Sequence, residues 1–277
     1  MAKSPAHAPA PRVEVEQARL AVLIDADNAQ PQVIGALLEE VARHGVSSVR
    51  RIYGDFTSNR MASWKAALLK HSIQPVQQFA YTSGKNATDS AMIIDAMDLM
   101  HTGRFDGFCL VSSDSDFTRL AQRLREEGLI VYGFGERKTP DPFVQACDKF
   151  VYTELLREQA ADAEGTKKRP AAGKTAGKAA KKDDGEASAT TTQPPAQRAP
   201  IKLIQQAIDE ADDDAEGGWV HLSSVGQYLN KIRPDFDPRL YGFRKLSELV
   251  RSQSRYFAVE ERQAGGGGKA LYVRLKP

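Results

Sequence analysis

Aspartates recur in this chain at the points where apolar runs stop. The run LAVLID ends in Asp25 and is followed by Asp27 and Asn28. The run FCLVSSDSDF leads into Asp114 and Asp116, and Asp89 stands one residue past Thr88, at the opening of a helical pattern. An acid directly after an apolar strand has no packing role. Carboxylates brought into one crevice repel each other and raise each other's pKa. A divalent cation removes that conflict, and an all-oxygen donor set suits Mg²⁺ or Mn²⁺. A metal so placed activates water and stabilises an in-line displacement at phosphorus. No histidine of this region follows a metal-binding spacing, which argues against a zinc hydrolase. Ser112 and Ser113 have no histidine partner in the local pattern, so a serine nucleophile is not supported.

The candidates differ in the structural roles open to them. Asp25 and Asp114 read as functional. Asp116 either joins them or caps a helix beginning at Phe117. Asp89 either faces the same edge or simply suits a helix N-terminus. Asn28 orients Asp25, contacts a phosphate or shapes the turn. Asp95 and Asp98, later on the helix that Asp89 opens, read as solvated or hydrogen-bonded structural acids. Lys85, in TSGKNATD, is a candidate phosphate contact beside the acids.

These residues need elements to hold them, and the pattern from Leu20 to Arg157 alternates short apolar runs with helical stretches. LAVLID reads as a buried strand, Pro31–Gly45 as a helix, Val46–Phe56 as a strand and Met61–Ser72 as a helix. IQPVQQFAY is a short extended piece, and Thr88–Gly103 is a helix capped by Thr88 and stopped by Gly103. Gly107–Phe117 is the clearest buried strand, with FTRLAQRLREEG a helix and LIVYGFG a strand after it; Pro142–Leu156 closes the unit. Such β-α alternation predicts an α/β fold, a mostly parallel sheet covered by helices on both faces, with its ligand crevice beyond the carboxyl ends of the strands.

The remainder divides by composition. Residues 1–18 read as a disordered arm without a signal peptide's apolar stretch, and 158–198 as a flexible linker of Ala, Lys, Gly, Thr, Pro and Asp. The expected domains are therefore 19–157 and 199–277. In the second, Ile201–Ala211 is an amphipathic helix, Trp219–Ile232 contains a helix capped near Ser223 or Ser224, and Asp237–Gln253 contains a third, with Asp237 as cap. YFAVEE and ALYVRL are strands joined by the run Gly265–Gly268. Three helices and a hairpin describe a winged helix, a small α+β domain. Arg239, Arg244, Lys245 and Arg251 place positive charge on or near its third helix, suited to phosphates. Tyr241 is a candidate for stacking on bases, whereas Phe243 reads as core.

The formal charge of +2 is unevenly spread, so the total neither demands nor excludes a nucleic-acid partner. No apolar run approaches the ~20 residues that span a bilayer, which excludes an integral membrane protein built of helices. Cys109 and Cys147 lie in apolar segments without metal-ligand spacing and read as small buried side chains in a reducing cytoplasm.

LIDADN, then KNATD at a helix start, then LVSSDSDF, in that order across Leu20–Leu156, resembles the NYN family of the PIN-like nuclease superfamily. The resemblance implies a Rossmann-like sandwich and Mg²⁺- or Mn²⁺-dependent RNA hydrolysis, with Asp25, Asp89, Asp114 and Asp116 as metal ligands and catalytic acids and Asn28 as a supporting polar group. The chain departs from the family pattern at Ser113 and at Asn86, where glycine is common. GWVHLSSVGQYL and YGFRKLSELV resemble the OST-HTH (LOTUS) module, which implies binding to RNA or to a protein partner. Two rivals to an endoribonuclease follow. One is an RNA-binding adaptor with a silent nuclease-like domain. The other is an aspartyl-phosphate-forming phosphatase using Asp25 of IDAD, although Ala29 stands where such enzymes usually carry Thr or Val.

Overall fold

The computed structural model describes residues 17–58, 61–79, 87–158, 198–211, 218–263 and 269–276. Most of the proposed arm, nearly all of the proposed linker, the run Gly265–Gly268, Lys85 and Asn86 lie outside them.

The first domain is a six-stranded, wholly parallel sheet in the order β3-β2-β1-β4-β5-β6. Its strands are β1 (Arg19–Asp25), β2 (Val46–Gly54), β3 (Gln74–Gln77), β4 (Gly107–Val111), β5 (Ile130–Gly135) and β6 (Lys149–Tyr152). Strand β1 is buried from Leu20 to Asp25 because helices cover both its faces. Its alternate residues feed two cores. Leu20, Val22 and Ile24 pack with α1 (Ile34–Val41) and α2 (Trp64–His71), through Ile34, Leu37, Val41 and Trp64. Ala21 and Leu23 pack with α3 (Ala87–His101), α4 (Thr118–Glu126) and α5 (Asp141–Ala146), through Met92, Ala96, Leu120, Leu124 and Phe143. The period-2 side-chain alternation of a strand thus assigns the helices to their layers.

Helix ends depart from the sequence expectation in small ways with local causes. The first helix opens as a 3-10 turn at Pro31–Val33 before α1. Helix α2 begins only at Trp64 and ends where Ser72 enters the left-handed region at φ 51°. Gly103, with φ 63°, terminates the turn after α3 as its position suggested. Pro142–Leu156 turns out to hold a further strand, β6, between α5 and a short helical stretch over 153–158.

The second domain packs α6 (Ile201–Glu210), α7 (Leu222–Ile232) and α8 (Leu246–Ser252) on an antiparallel sheet of β7 (Val220–His221), β9 (Lys269–Leu275) and β8 (Phe257–Gln263), in that order. Ile204, Val225, Leu229, Leu249, Phe257 and Val273 form its core. Two expectations are corrected here. The cap of α7 is His221, whose Nδ1 accepts from the backbone N–H of Ser223, and not Ser223 or Ser224. The stretch after Asp237 is not one helix. Asp237 caps a 3-10 turn, Pro238–Tyr241, which Gly242 ends at φ 83° before α8 begins at Leu246.

The domains touch along strand β6 and helix α1. The backbone N–H of Phe150 donates to the carbonyl of Pro234 at 2.8 Å, closing one bond on the open edge of the sheet. The Tyr152 hydroxyl donates to Asp235 at 3.0 Å. Arg239 donates to Glu40 at 3.1 Å and also pairs with Asp237 within its own turn. These side chains are 14%, 3% and 9% exposed, so the ion cluster is a seam between the domains.

Candidate active site

The strand order creates the site. Strand β1 lies beside β2 on one flank and β4 on the other, and the chain winds outward in both directions from this pair. The topological switch point, where the connections leave a crevice beyond the strand ends, therefore falls between β1 and β4. Asp25 is the last residue of β1, and Asp114 follows β4 by three residues. The two strand-end acids face one crevice because their strands are hydrogen-bonded neighbours.

Asp25 is 1% exposed, and both of its oxygens are engaged. Oδ1 accepts from the backbone N–H of Asp27 at 3.0 Å. Oδ2 accepts from Asn28 Nδ2 at 2.7 Å and from Ser112 Oγ at 2.8 Å. Burial pushes the carboxyl above its ordinary value, and these three donors work against the rise. Ser112 Oγ also accepts from the backbone N–H of Asp114 at 3.1 Å, so one hydroxyl ties the end of β1 to the turn after β4. Asp114 Oδ1 in turn accepts from the backbone N–H of Asp116 at 2.9 Å and caps the 3-10 turn Ser115–Phe117. The cap at this turn is thus Asp114, which leaves the carboxylate of Asp116 exposed beside it.

Helix α3 supplies the third acid, because Asp89 lies in its first turn. Carboxylate oxygens of Asp89, Asp114 and Asp116 all lie within 4.8 Å of one another. Asp25 is not among the three, but it is buried and its charge acts on Asp89. The Asp89 carboxyl is pushed up to about 6, first by burial and then by the charges of Asp25, Asp114, Asp116 and Asp27. Around a Mg²⁺ at ~2.1 Å, neighbouring oxygens stand ~3.0 Å apart and opposite ones ~4.2 Å, so the three carboxylates must draw together from their present spacing to share one ion. The donor set is all oxygen and mutually repulsive, which fits a hard divalent cation.

The structure separates the remaining acids from the site. Asp95 bonds to Arg51 and to the Tyr53 hydroxyl, a structural role, and Asp98 is exposed on α3. Asn28 orients Asp25, one of the three readings its position allowed. Ser113 Oγ accepts from the backbone N–H of Glu136, joining the β4 turn to the end of β5. Sequence reasoning did not assign Ser112 a positioning role; the available signal was a hydroxyl standing between an apolar strand and an acid. The buried Asp25, with each oxygen already accepting, is poorly disposed to attack a phosphorus atom as a nucleophile.

The basic candidates divide. Arg244, Lys245 and Arg251 are exposed around α8. Arg239 instead directs its guanidinium into the seam with Glu40 and Asp237. Tyr241 is half-buried, its ring 6.0 Å from that of Phe236. Phe243 packs against the core of the second domain, as expected.

Residues 19–156 match the family model described as the NYN domain, and residues 195–268 match that of the OST-HTH/LOTUS domain. No protein of curated function matches the chain. Among solved structures, the chain is similar to an uncharacterized protein of Nitrosomonas europaea, at 41% identity over 36% of this chain and 93% of that one, with a TM-score of 0.28. It is also similar to a protein of unknown function from Vibrio parahaemolyticus, at 17% identity over 50% of this chain and 94% of that one, with a TM-score of 0.43.

Proposed function

This chain belongs to the NYN-domain family and joins that domain to an OST-HTH/LOTUS module, and from that premise we propose that it is a metal-dependent endoribonuclease. The observation that carries the reading is the convergence of Asp89, Asp114 and Asp116 within 4.8 Å at the switch point of the sheet. These three hold Mg²⁺ or Mn²⁺, and Asp25 completes the acidic floor. A bound divalent cation supplies an acidified water and neutralises charge developing on the phosphodiester.

The protein's own residues set the geometry. Asn28 and Ser112 fix the Asp25 carboxylate, and Ser112 passes that order to the backbone of Asp114. Asp114 then fixes the turn that presents Asp116. Such a chain of bonds holds the acids in place before substrate arrives, so little reorganisation is left for the chemical step. In the second domain Arg244, Lys245 and Arg251 contact RNA phosphates, and tethering raises the local RNA concentration at the nuclease domain. RNA as partner and the two reduced, buried cysteines suit a cytoplasmic location.

The test is incubation of the purified chain with RNA of mixed structure and Mn²⁺ or Mg²⁺, beside EDTA and Asp114→Asn. Metal-dependent cleavage lost in the variant supports the nuclease. Equal cleavage by the variant refutes the assigned site. RNA binding without cleavage identifies an adaptor.

A further inference from the structure

A cleft of about 400 Å³ opens where the two domains meet, lined by Arg137 and Tyr152 of the first and by Arg233, Asp235, Phe236 and Tyr241 of the second. Its position follows from the sheet. Tyr152 ends β6 and pairs in register with Gly135, which ends β5, and Arg137 follows two residues later. The cleft therefore opens on the carboxyl edge of the sheet, the edge that carries Asp25 and Asp114. Strands lie about 4.8 Å apart, so β6 is on the order of 10 Å from β4 along that edge. A short run of nucleotides bridges such a distance.

The lining has the chemistry of a single strand's path. Arg233 spends Nε and Nη2 on Asp235, at 3.1 and 3.2 Å, which leaves Nη1 without a partner among the described residues. The guanidinium of Arg137 is exposed and has no carboxylate partner among the described residues. Asp235 is the one acid of the lining, and the Tyr152 hydroxyl and Arg233 both donate to it. Two cations, Arg137 and Arg233, against the one anion Asp235 leave the lining with one excess positive charge. Tyr241, Phe236 and Leu240 add an apolar wall, in which the half-buried ring of Tyr241 offers a face to a base. A duplex exposes its phosphates but not its base faces, so this mixture of guanidinium and aromatic ring favours an unpaired strand.

We propose that the interdomain cleft is a binding site for single-stranded RNA, in which Arg137 and Arg233 hold phosphates and Tyr241 stacks on a base of a strand passing to the acidic site. The site exists because the domains are docked, and both contribute to it. This rests on the nuclease reading only for the destination of the strand.

The test measures binding of a short, labelled, unpaired RNA to the full chain in EDTA, so that no cleavage intervenes, by fluorescence anisotropy across a salt series. Arg137→Ala is expected to weaken binding about tenfold and to lower the salt slope by about 0.7, the value of one single-strand phosphate contact. Tyr241→Ala is expected to lose about tenfold or more, and Tyr241→Phe to retain wild-type affinity because stacking needs the ring and not the hydroxyl. Lys138→Ala, beside Arg137 but paired with Glu136 and outside the lining, is the control and is expected to bind as wild type. No measurable wild-type binding, or wild-type affinity in either Arg137→Ala or Tyr241→Ala, overturns the proposal. Expected losses of binding together with a wild-type protein that does not cleave under Mn²⁺ leave the cleft standing and overturn the nuclease reading instead.

Discussion

Removing one charge from the acidic site should stabilise the metal-free protein. Asp89→Asn keeps the shape of the side chain and eliminates its negative charge. In the folded chain the Asp89 carboxyl is pushed from its ordinary 3.8 up to about 6, by burial first and by the neighbouring acids after it. The folded state thus binds that proton more tightly than the unfolded chain does. The resulting penalty is absent below the unfolded value, grows as pH rises through the window from about 3.8 to 6, and is complete above it. The bare conversion of this difference is about 3 kcal/mol. Asp89 is only half-buried, and screening by solvent reduces the expected effect to about 1 kcal/mol. For a protein of this size that is a rise of about 2–4 °C in Tm. In EDTA at about neutral pH, Asp89→Asn should melt above wild type by this margin, and the gap should close as pH falls toward about 4. Saturating Mn²⁺ should reverse the order, since an ion at 100 times its Kd adds about 2.7 kcal/mol to the protein that binds it, and the variant has lost one carboxylate. The assay is thermal melting by circular dichroism in the four combinations of pH and metal. A variant that melts below wild type in EDTA at neutral pH would refute the electrostatic argument, as would a gap that does not change with pH.

Ser112→Ala should lower kcat for RNA about tenfold with little change in KM, because its hydroxyl joins Asp25 to the backbone of Asp114; steady-state cleavage kinetics checks the split. Arg239→Ala should cost about 3 kcal/mol and expose the seam, since it leaves Glu40 and Asp237 largely buried with fewer partners; urea unfolding and limited proteolysis read both effects. Gly133→Ala should destabilise the first domain by about 1–3 kcal/mol, because a Cβ there would stand 2.4 Å from the Phe150 ring and 2.6 Å from Cys147 Sγ, and chemical denaturation measures the loss.

Much of this protein is legible in its amino acids, and the reason is that the legible parts are local. Apolar runs such as LAVLID and FCLV declare buried strands because a residue's burial on both faces leaves no room for polar side chains. The acids at their ends, and Asp89 in the first turn of α3, are placed by position along the chain alone. Strand order is not local. That β1 pairs with β4, 87 residues on between Leu20 and Gly107, is decided by how helices pack on the two faces, and only that pairing brings Asp25 beside Ser112 and the turn that carries Asp114. The bond from Ser112 to Asp25 follows from the same tertiary approach, since a serine before an acid has no fixed partner in a linear reading, whereas the cap at Asp114 is a local bond between residues two apart. Arg239 shows the limit most clearly. Its neighbours along the chain suggest a solvent-facing cation for phosphate, but Glu40, 199 residues away, draws it into the seam between domains. Charge and type are properties of the residue, while the partner that a charge finds is a property of the fold.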